Sequence, residues 1–131
     1  MPEEQWKEYK NTGYFFSNYG RVFSQKTKKF LKTTANTNSS GYERVVISFD
    51  GKKERIFIHI TVVYLFGDCK GKKLPKKSLK LLGKSIDHLN RDKTNNSVFN
   101  LEIVSHSENV SRYFKSREIQ STCAEELALI F

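Results

Sequence analysis

Residues 85–109 read SIDHLNRDKTNNSVFNLEIVSHSEN, and their reading decides the fold. Ser85-Ile86-Asp87-His88-Leu89 is short, apolar-centred and extended in character, and the spacing predicts a strand. The run RDKTNN over 91–96 is made of turn formers. Asn100 to Val104, NLEIV, predicts a second short strand. Ser105 or Ser107 is placed to cap a helix that runs through Glu108, Asn109, Val110 and Tyr113. The stretch is therefore a strand, a loop, a strand and a helix. Adjacent residues on a strand point to opposite faces, so Asp87 and His88 do not form a dyad with each other. A second element must complete any site there, and Asn109, in the first helical turn, is placed to point back at Asp87.

Those residue types suit phosphodiester hydrolysis. The reaction needs a base for water near neutral pH, and imidazole is the natural one. It also needs a cation to neutralise charge growing on the phosphate and the leaving oxygen, and a divalent ion on oxygen ligands supplies that.

The chain has 131 residues, enough for one compact unit or a small domain with an appended module. Hydrophobic residues make up 37% and aromatic residues 13%, which excludes a disordered chain. Lys and Arg number 23 against 14 Asp and Glu, a net charge of +9 that points to a polyanion, nucleic acid first. Cys69 and Cys123 form no CxxC pair, so no structural zinc is expected. Reduced thiols and the acidic, polar start MPEEQWKEYK favour a cytoplasmic protein over a secreted one. No apolar run approaches the length of about 20 residues that a membrane helix needs.

Upstream, Tyr14-Phe15-Phe16 leads through the turn signal Ser17-Asn18-Tyr19-Gly20 into Arg21-Val22-Phe23-Ser24, which predicts two short antiparallel strands. Lys26 to Lys29 makes a turn and Phe30-Leu31-Lys32 begins another strand. Thr33 to Gly41 reads as a polar loop. Tyr42 to Phe49 predicts a strand, Asp50-Gly51 a hairpin turn, and Glu54 to His59 the returning strand, with Arg55, Phe57 and His59 on one face. Ile60 to Phe66, ITVVYLF, fits a buried strand or a short helix; a helix ending at Gly67 is the preferred reading. Asp68 to Lys84 is a basic linker, interrupted by Pro75. CAEELALIF, 123–131, predicts a final helix.

The pattern Ile86-Asp87-His88, Asn95-Asn96, Asn100-Leu101-Glu102, Val104 and Glu108-Asn109 resembles the HNH endonucleases found in phage and mobile introns. Asn100 follows His88 by 12 positions and Asn109 follows it by 21, spacings that fit the family. Gln5-Trp6-Lys7, YFFSNYGRVFS over 14–24, Gly41-Tyr42, the Val45-Val46-Ile47 strand and His59 ahead of ITVVYLF resemble the nuclease-associated module that often precedes HNH domains. The resemblance spans about residues 4 to 115.

What the resemblance implies is an α+β protein: a small antiparallel β-sheet module over 1–58, a ββα-metal nuclease domain over 59–115 and a helical tail over 116–131. It makes His88 the general base and Asn100 the brace of the loop that orients it. Asp87 and Asn109 become ligands of one Mg²⁺ or Mn²⁺ ion. Double-stranded DNA would be cut to 5′-phosphate and 3′-hydroxyl ends. Arg21, Arg44, Arg55, Lys72, Lys73, Lys76, Lys77 and Arg91 are candidate DNA contacts. His59 is read as structural or DNA-facing, and His106 is given no role. Larger relatives continue into a further DNA-binding module; the short stretch after Lys115 leaves target recognition to a small surface, a homodimer or a partner protein. The competing expectation is a DNA-binding module that retains the fold without cutting.

Overall fold

The computed structural model describes residues 2–32, 34–35, 41–75, 79 and 81–120. The expected helix over 123–131 lies outside these residues.

The chain opens on a four-stranded antiparallel meander of β1 (Trp6–Glu8), β2 (Tyr14–Ser17), β3 (Val22–Ser24) and β4 (Lys29–Phe30). Its first strand was not visible in the sequence, since WKE has neither alternation nor β-branching. Phe16 and Val22 point inward and are fully buried. On the other side Trp6, Phe23 and Phe30 pack together at interplanar angles of 49–72°, with ring centroids 5.2–6.4 Å apart.

A second antiparallel sheet follows, in the order β5 (Thr34–Ala35), β6 (Glu43–Phe49), β7 (Lys52–Phe57). Asp50 and Gly51 turn the β6–β7 hairpin at φ 52° and 70°, as their identity predicts. Val45 and Ile47 face the core, while Arg44, Val46 and Ser48 share the outer face with their partners Phe57, Arg55 and Lys53. Thr34-Ala35, read as loop, pairs with Glu43 and Arg44. The returning strand stops at Phe57, so His59 belongs to a helix and shares no strand face with Arg55.

That helix is α1 (Ile58–Phe66), ending at Gly67. Its β-branched sequence is a poor helix former. It is helical because it is apolar around most of its circumference and enclosed: Ile58, Val62 and Val63 are fully buried. Burial of each is worth roughly 1.5–3 kcal/mol.

After α1 the chain is tied down by Asp68, which is 3% exposed. Its Oδ1 accepts from the backbone N–H of Lys70 and Lys72 at 2.9 and 2.8 Å. Its Oδ2 accepts from the N–H of Ile103 at 2.9 Å. The hairpin of β8 (Lys84–His88) and β9 (Leu101–Ser105) comes next, in the register Ile86↔Ile103, Asp87↔Glu102, His88↔Leu101. Asn100, expected to start the second strand, instead closes a 3₁₀ turn over Val98–Asn100. The helix α2 (His106–Gln120) then packs on the hairpin. Ser105 caps it, its Oγ accepting from the N–H of Glu108 at 3.1 Å. Leu101 and Ile103 join Phe16, Val45, Ile47 and Val62 in one core.

Candidate active site

Asp87 and His88 end β8 and are 2% and 4% exposed. Their side chains leave the strand on opposite faces and enter two different environments.

His88 lies under the β6 end of the second sheet. Its Nε2 is 2.8 Å from Asn96 Oδ1. The Tyr42 ring stacks on it at 5.6 Å between centroids and 26° between planes. Tyr42 stacks in turn on His59, at 4.6 Å and 24°. Burial pushes the His88 pKa below its ordinary value of 6.5, against an opposing pull from Asn96 and Asp87. Burial thus favours the neutral imidazole, the form a base must have. His59 is pushed lower, to about 3, first by burial and second by the His88 charge. Its Nδ1 is buried without a hydrogen-bond partner.

Asn96 Nδ2 donates to Glu43 Oε1 at 3.0 Å, so the chain Glu43–Asn96–His88 links β6 to the hairpin loop. Asn100 makes its hydrogen bonds within the loop. Its side chain accepts from the N–H of Asn90 at 3.0 Å and donates to Asn90 Oδ1 and the Asn95 carbonyl, both at 2.9 Å. Its own carbonyl accepts from the N–H of Leu89 at 2.8 Å. Asn100 thus knits together the two ends of the loop that carries Asn96.

On the other face, Asp87 is held by two guanidinium groups. Arg91 Nη1 donates to Oδ1 and Arg112 Nη1 to Oδ2, both at 2.9 Å. Arg112 Nη1 also donates to Glu102 Oε1 at 2.7 Å, and Nη2 to Glu108 Oε1 at 2.9 Å. Lys70 Nζ completes the cluster, 2.6 Å from Glu102 Oε2. Lys70 and Arg112 hold the Glu102 carboxyl below its ordinary range. Asn109 sits in the first turns of α2 beside β8, but it bonds to Ser85 Oγ through Nδ2, at 3.0 Å, and not to Asp87.

Among the described residues no group of three or more His, Cys, Asp or Glu is placed to hold a metal ion. A carboxylate on Asp87 and an amide oxygen on Asn109 are a hard, sparse donor set. That fits Mg²⁺ or Mn²⁺, which keep several waters, and does not fit zinc. The two guanidinium groups on Asp87 supply positive charge there.

The candidate DNA contacts are dispersed. Arg21 stacks between Trp6 and Phe30 and pairs with Glu4, its Nε 2.9 Å from Oε2. Arg44 and Arg55 lie on the outer face of the β6–β7 hairpin. Lys72 and Lys73 are exposed after α1, and Lys76 and Lys77 lie outside the described residues. Arg91 donates to Asp87 through Nη1 and stays partly exposed. A cleft of about 510 Å³, lined by Tyr42, His59, Lys84, Ser85 and His106 among others, opens beside the hairpin.

Residues 57–111 match the family model for HNH endonuclease. The chain carries an HNH endonuclease domain. Two Escherichia phage T5 proteins resemble it: H-N-H endonuclease F-TflII, 34% identical over 91 residues, and H-N-H endonuclease F-TflI, 31% identical over 96 residues. These alignments cover 70% and 73% of this chain but only 42% and 44% of the relatives, so the chain spans less than half their length. The fold as a whole resembles that of the HNH homing endonuclease I-HmuI, in a structure described as "DNA binding and cleavage by the HNH homing endonuclease I-HmuI", with a TM-score of 0.67 at 24% identity over 95% of this chain and 65% of that one. The α+β architecture of residues 57–111 and of the β-sheets that precede them is therefore one shared with that structure.

Asn96, Glu43, Tyr42, Arg112 and Glu102 belong to this site and were given no role from the sequence. Asn96 had a signal, as the second residue of the Asn-Asn pair. Glu43 and Tyr42 lie about 45 residues before His88, and Arg112 is one more cation in a basic chain. Tyr42 and Glu102 also lie in matched motifs, and the fold reveals what each of these side chains touches.

Proposed function

We propose that this chain is a divalent-metal-dependent endonuclease that hydrolyses phosphodiester bonds of double-stranded DNA, leaving 5′-phosphate and 3′-hydroxyl ends. We read it as phage or mobile-element encoded and as acting in the host cytoplasm. The observation that carries the reading is a buried His88 next to a buried Asp87, within the residues that match the HNH endonuclease model.

His88 accepts the proton of the attacking water. Asp87 and Asn109 would hold one Mg²⁺ or Mn²⁺ ion. Asn109 Nδ2 is engaged with Ser85, so its Oδ1 is the atom for a cation. When bound, the ion neutralises charge on the scissile phosphate and on the departing 3′ oxygen. Arg112 retains Glu102 and Glu108 as partners when it yields Asp87. Asn100 keeps the loop rigid. The basic outer face of the β6–β7 hairpin and Lys72 and Lys73 bind backbone phosphates, joined by Arg21, Lys76, Lys77 and Arg91. Residues 1–58 act as the DNA-contacting module and 59–115 as the nuclease. A homodimer or partner protein extends target recognition.

Supercoiled plasmid incubated with Mg²⁺ or Mn²⁺ tests the reading. Wild type is expected to nick or linearise it, leaving ends that ligase rejoins, and His88→Ala to leave it intact. Plasmid untouched by wild type with either ion overturns the assignment. The double guanidinium cap on Asp87 favours one second reading, a DNA-binding module that keeps the fold without cutting. Salt-sensitive binding without cleavage would support it.

A further inference from the structure

Asn96 and Glu43 stand together in a way that fixes more than a hydrogen bond. A carboxylate only accepts, so the Asn96 amide must present its NH₂ to Glu43 Oε1. Its carbonyl oxygen then faces His88 Nε2, 2.8 Å away. An oxygen in that place requires a proton on Nε2. The neutral imidazole is thereby held as the Nε2–H tautomer, with its lone pair on Nδ1.

The loop carrying Asn96 is clamped from the same direction. The Ser17–Gly20 turn of the first sheet lies directly on it. The Asn18 carbonyl accepts from the N–H of Val98 at 2.8 Å. Gly20, at φ +86°, leaves no room for a side chain: a Cβ there would stand 2.9 Å from the Asn96 carbonyl oxygen. Tyr19 packs on Phe99 at 5.8 Å between rings. Tyr42 covers one face of the His88 ring.

We infer that Asn96, oriented by Glu43 and seated on the Ser17–Gly20 turn, is the positioning residue that sets the tautomer and aim of His88, so the β-sheet module is a working part of the catalytic centre. The inference rests on His88 being the base of the proposed endonuclease. It adds that this base cannot be set from within residues 59–115 alone. Glu43 comes from β6 and the clamp from the β2–β3 turn. Asn96 and Glu43 are positioning and not catalytic residues: both act through His88.

The first test needs no cleavage. Imidazole ¹⁵N shifts of His88, read at pH 8 on the full chain, report which nitrogen carries the proton. Wild type and Glu43→Gln, which keeps an acceptor oxygen for Asn96, are expected to show Nε2–H. Asn96→Ala and Glu43→Ala are expected to show a tautomer mixture. An Nδ1–H tautomer in wild type, or a tautomer unchanged in both alanine variants, overturns the inference even if the protein cuts DNA.

The second test is single-turnover cleavage against DNA affinity in Ca²⁺. Loss of an aimed general base costs on the order of 100-fold or more in rate. Asn96→Ala is expected to lose on that order with its Kd within about 3-fold of wild type, and Glu43→Gln to stay close to the wild-type rate. Where Asn96→Ala fails to fold, Glu43→Ala serves, since Glu43 is half-exposed. Equal rates in wild type and the alanine variants overturn the inference. A wild type that does not cut, yet shows the Asn96-dependent Nε2–H tautomer, refutes the endonuclease and leaves the tautomer device standing.

Discussion

Acid should weaken this protein through His59, and the size of the effect follows from its surroundings. The side chain is 6% exposed and its pKa is pushed to about 3, chiefly by burial, while the unfolded chain titrates near 6.5. The folded state therefore binds the proton less well than the unfolded state. Stability is full above pH 6.5 and drains away as pH falls below it, until about pH 3. Each pH unit within that window is worth about 1.4 kcal/mol. Between pH 7 and pH 5 the His59 contribution is a loss of about 2 kcal/mol, a large share of a typical domain's stability. Phe at this position keeps an aromatic face for Tyr42 and leaves no unpartnered buried nitrogen. Urea unfolding at pH 7, 6 and 5, wild type against His59→Phe, reads the difference directly. Wild type should lose about 2 kcal/mol more than the variant over that range. Parallel losses in the two proteins would refute the claim that His59 is buried neutral.

Three further outcomes are expected. Asp68→Ala strips the acceptor from three backbone N–H groups, one of them inside the β8–β9 hairpin, and should cost about 3–5 kcal/mol in urea unfolding; a loss below about 1 kcal/mol would mean that Asp68 does not anchor the hairpin. Gly20→Ala and Gly13→Ala share the strain of a positive φ, but Gly13 faces open space and Gly20 faces Asn96. Both should lose roughly 1 kcal/mol, and Gly20→Ala distinctly more; equal losses would argue against close seating of the turn on Asn96. Burial lowers the His88 pKa, so the acid limb of the cleavage rate should have its midpoint below pH 6.5. A midpoint above 6.5 would show that His88 gains a proton more readily than its burial allows.

The strand–loop–strand–helix order around Asp87 and His88 was legible because it is local: turn formers, β-branched runs and a serine cap lie within 25 residues. The Asp50-Gly51 hairpin was legible for the same reason. The sequence was ambiguous at Ile58–Phe66, where β-branched residues argue for a strand and enclosure by the core produces a helix. It was silent on Asp87, whose two guanidinium partners come from four residues and 25 residues away, and on Asn109, whose choice of Ser85 over Asp87 is settled by the approach of α2. It was equally silent on Glu43, because nothing in a strand residue announces a partner amide 53 positions later in the chain.

The make-up of α1 carries a consequence for biosynthesis. IHITVVYLF has no charge and no proline, the composition of a segment that adds to an exposed sheet edge when left uncovered. On the ribosome it emerges directly behind β6 and β7, which already offer Val45, Ile47 and Ile56 as cover, but well ahead of Val98 and Leu101. The nascent chain must therefore shelter this segment on the hairpin that has just been made. Substitutions that delay that hairpin, at Asp50 or Gly51, are the ones expected to send newly made protein into inclusion bodies, even where the finished fold would tolerate them.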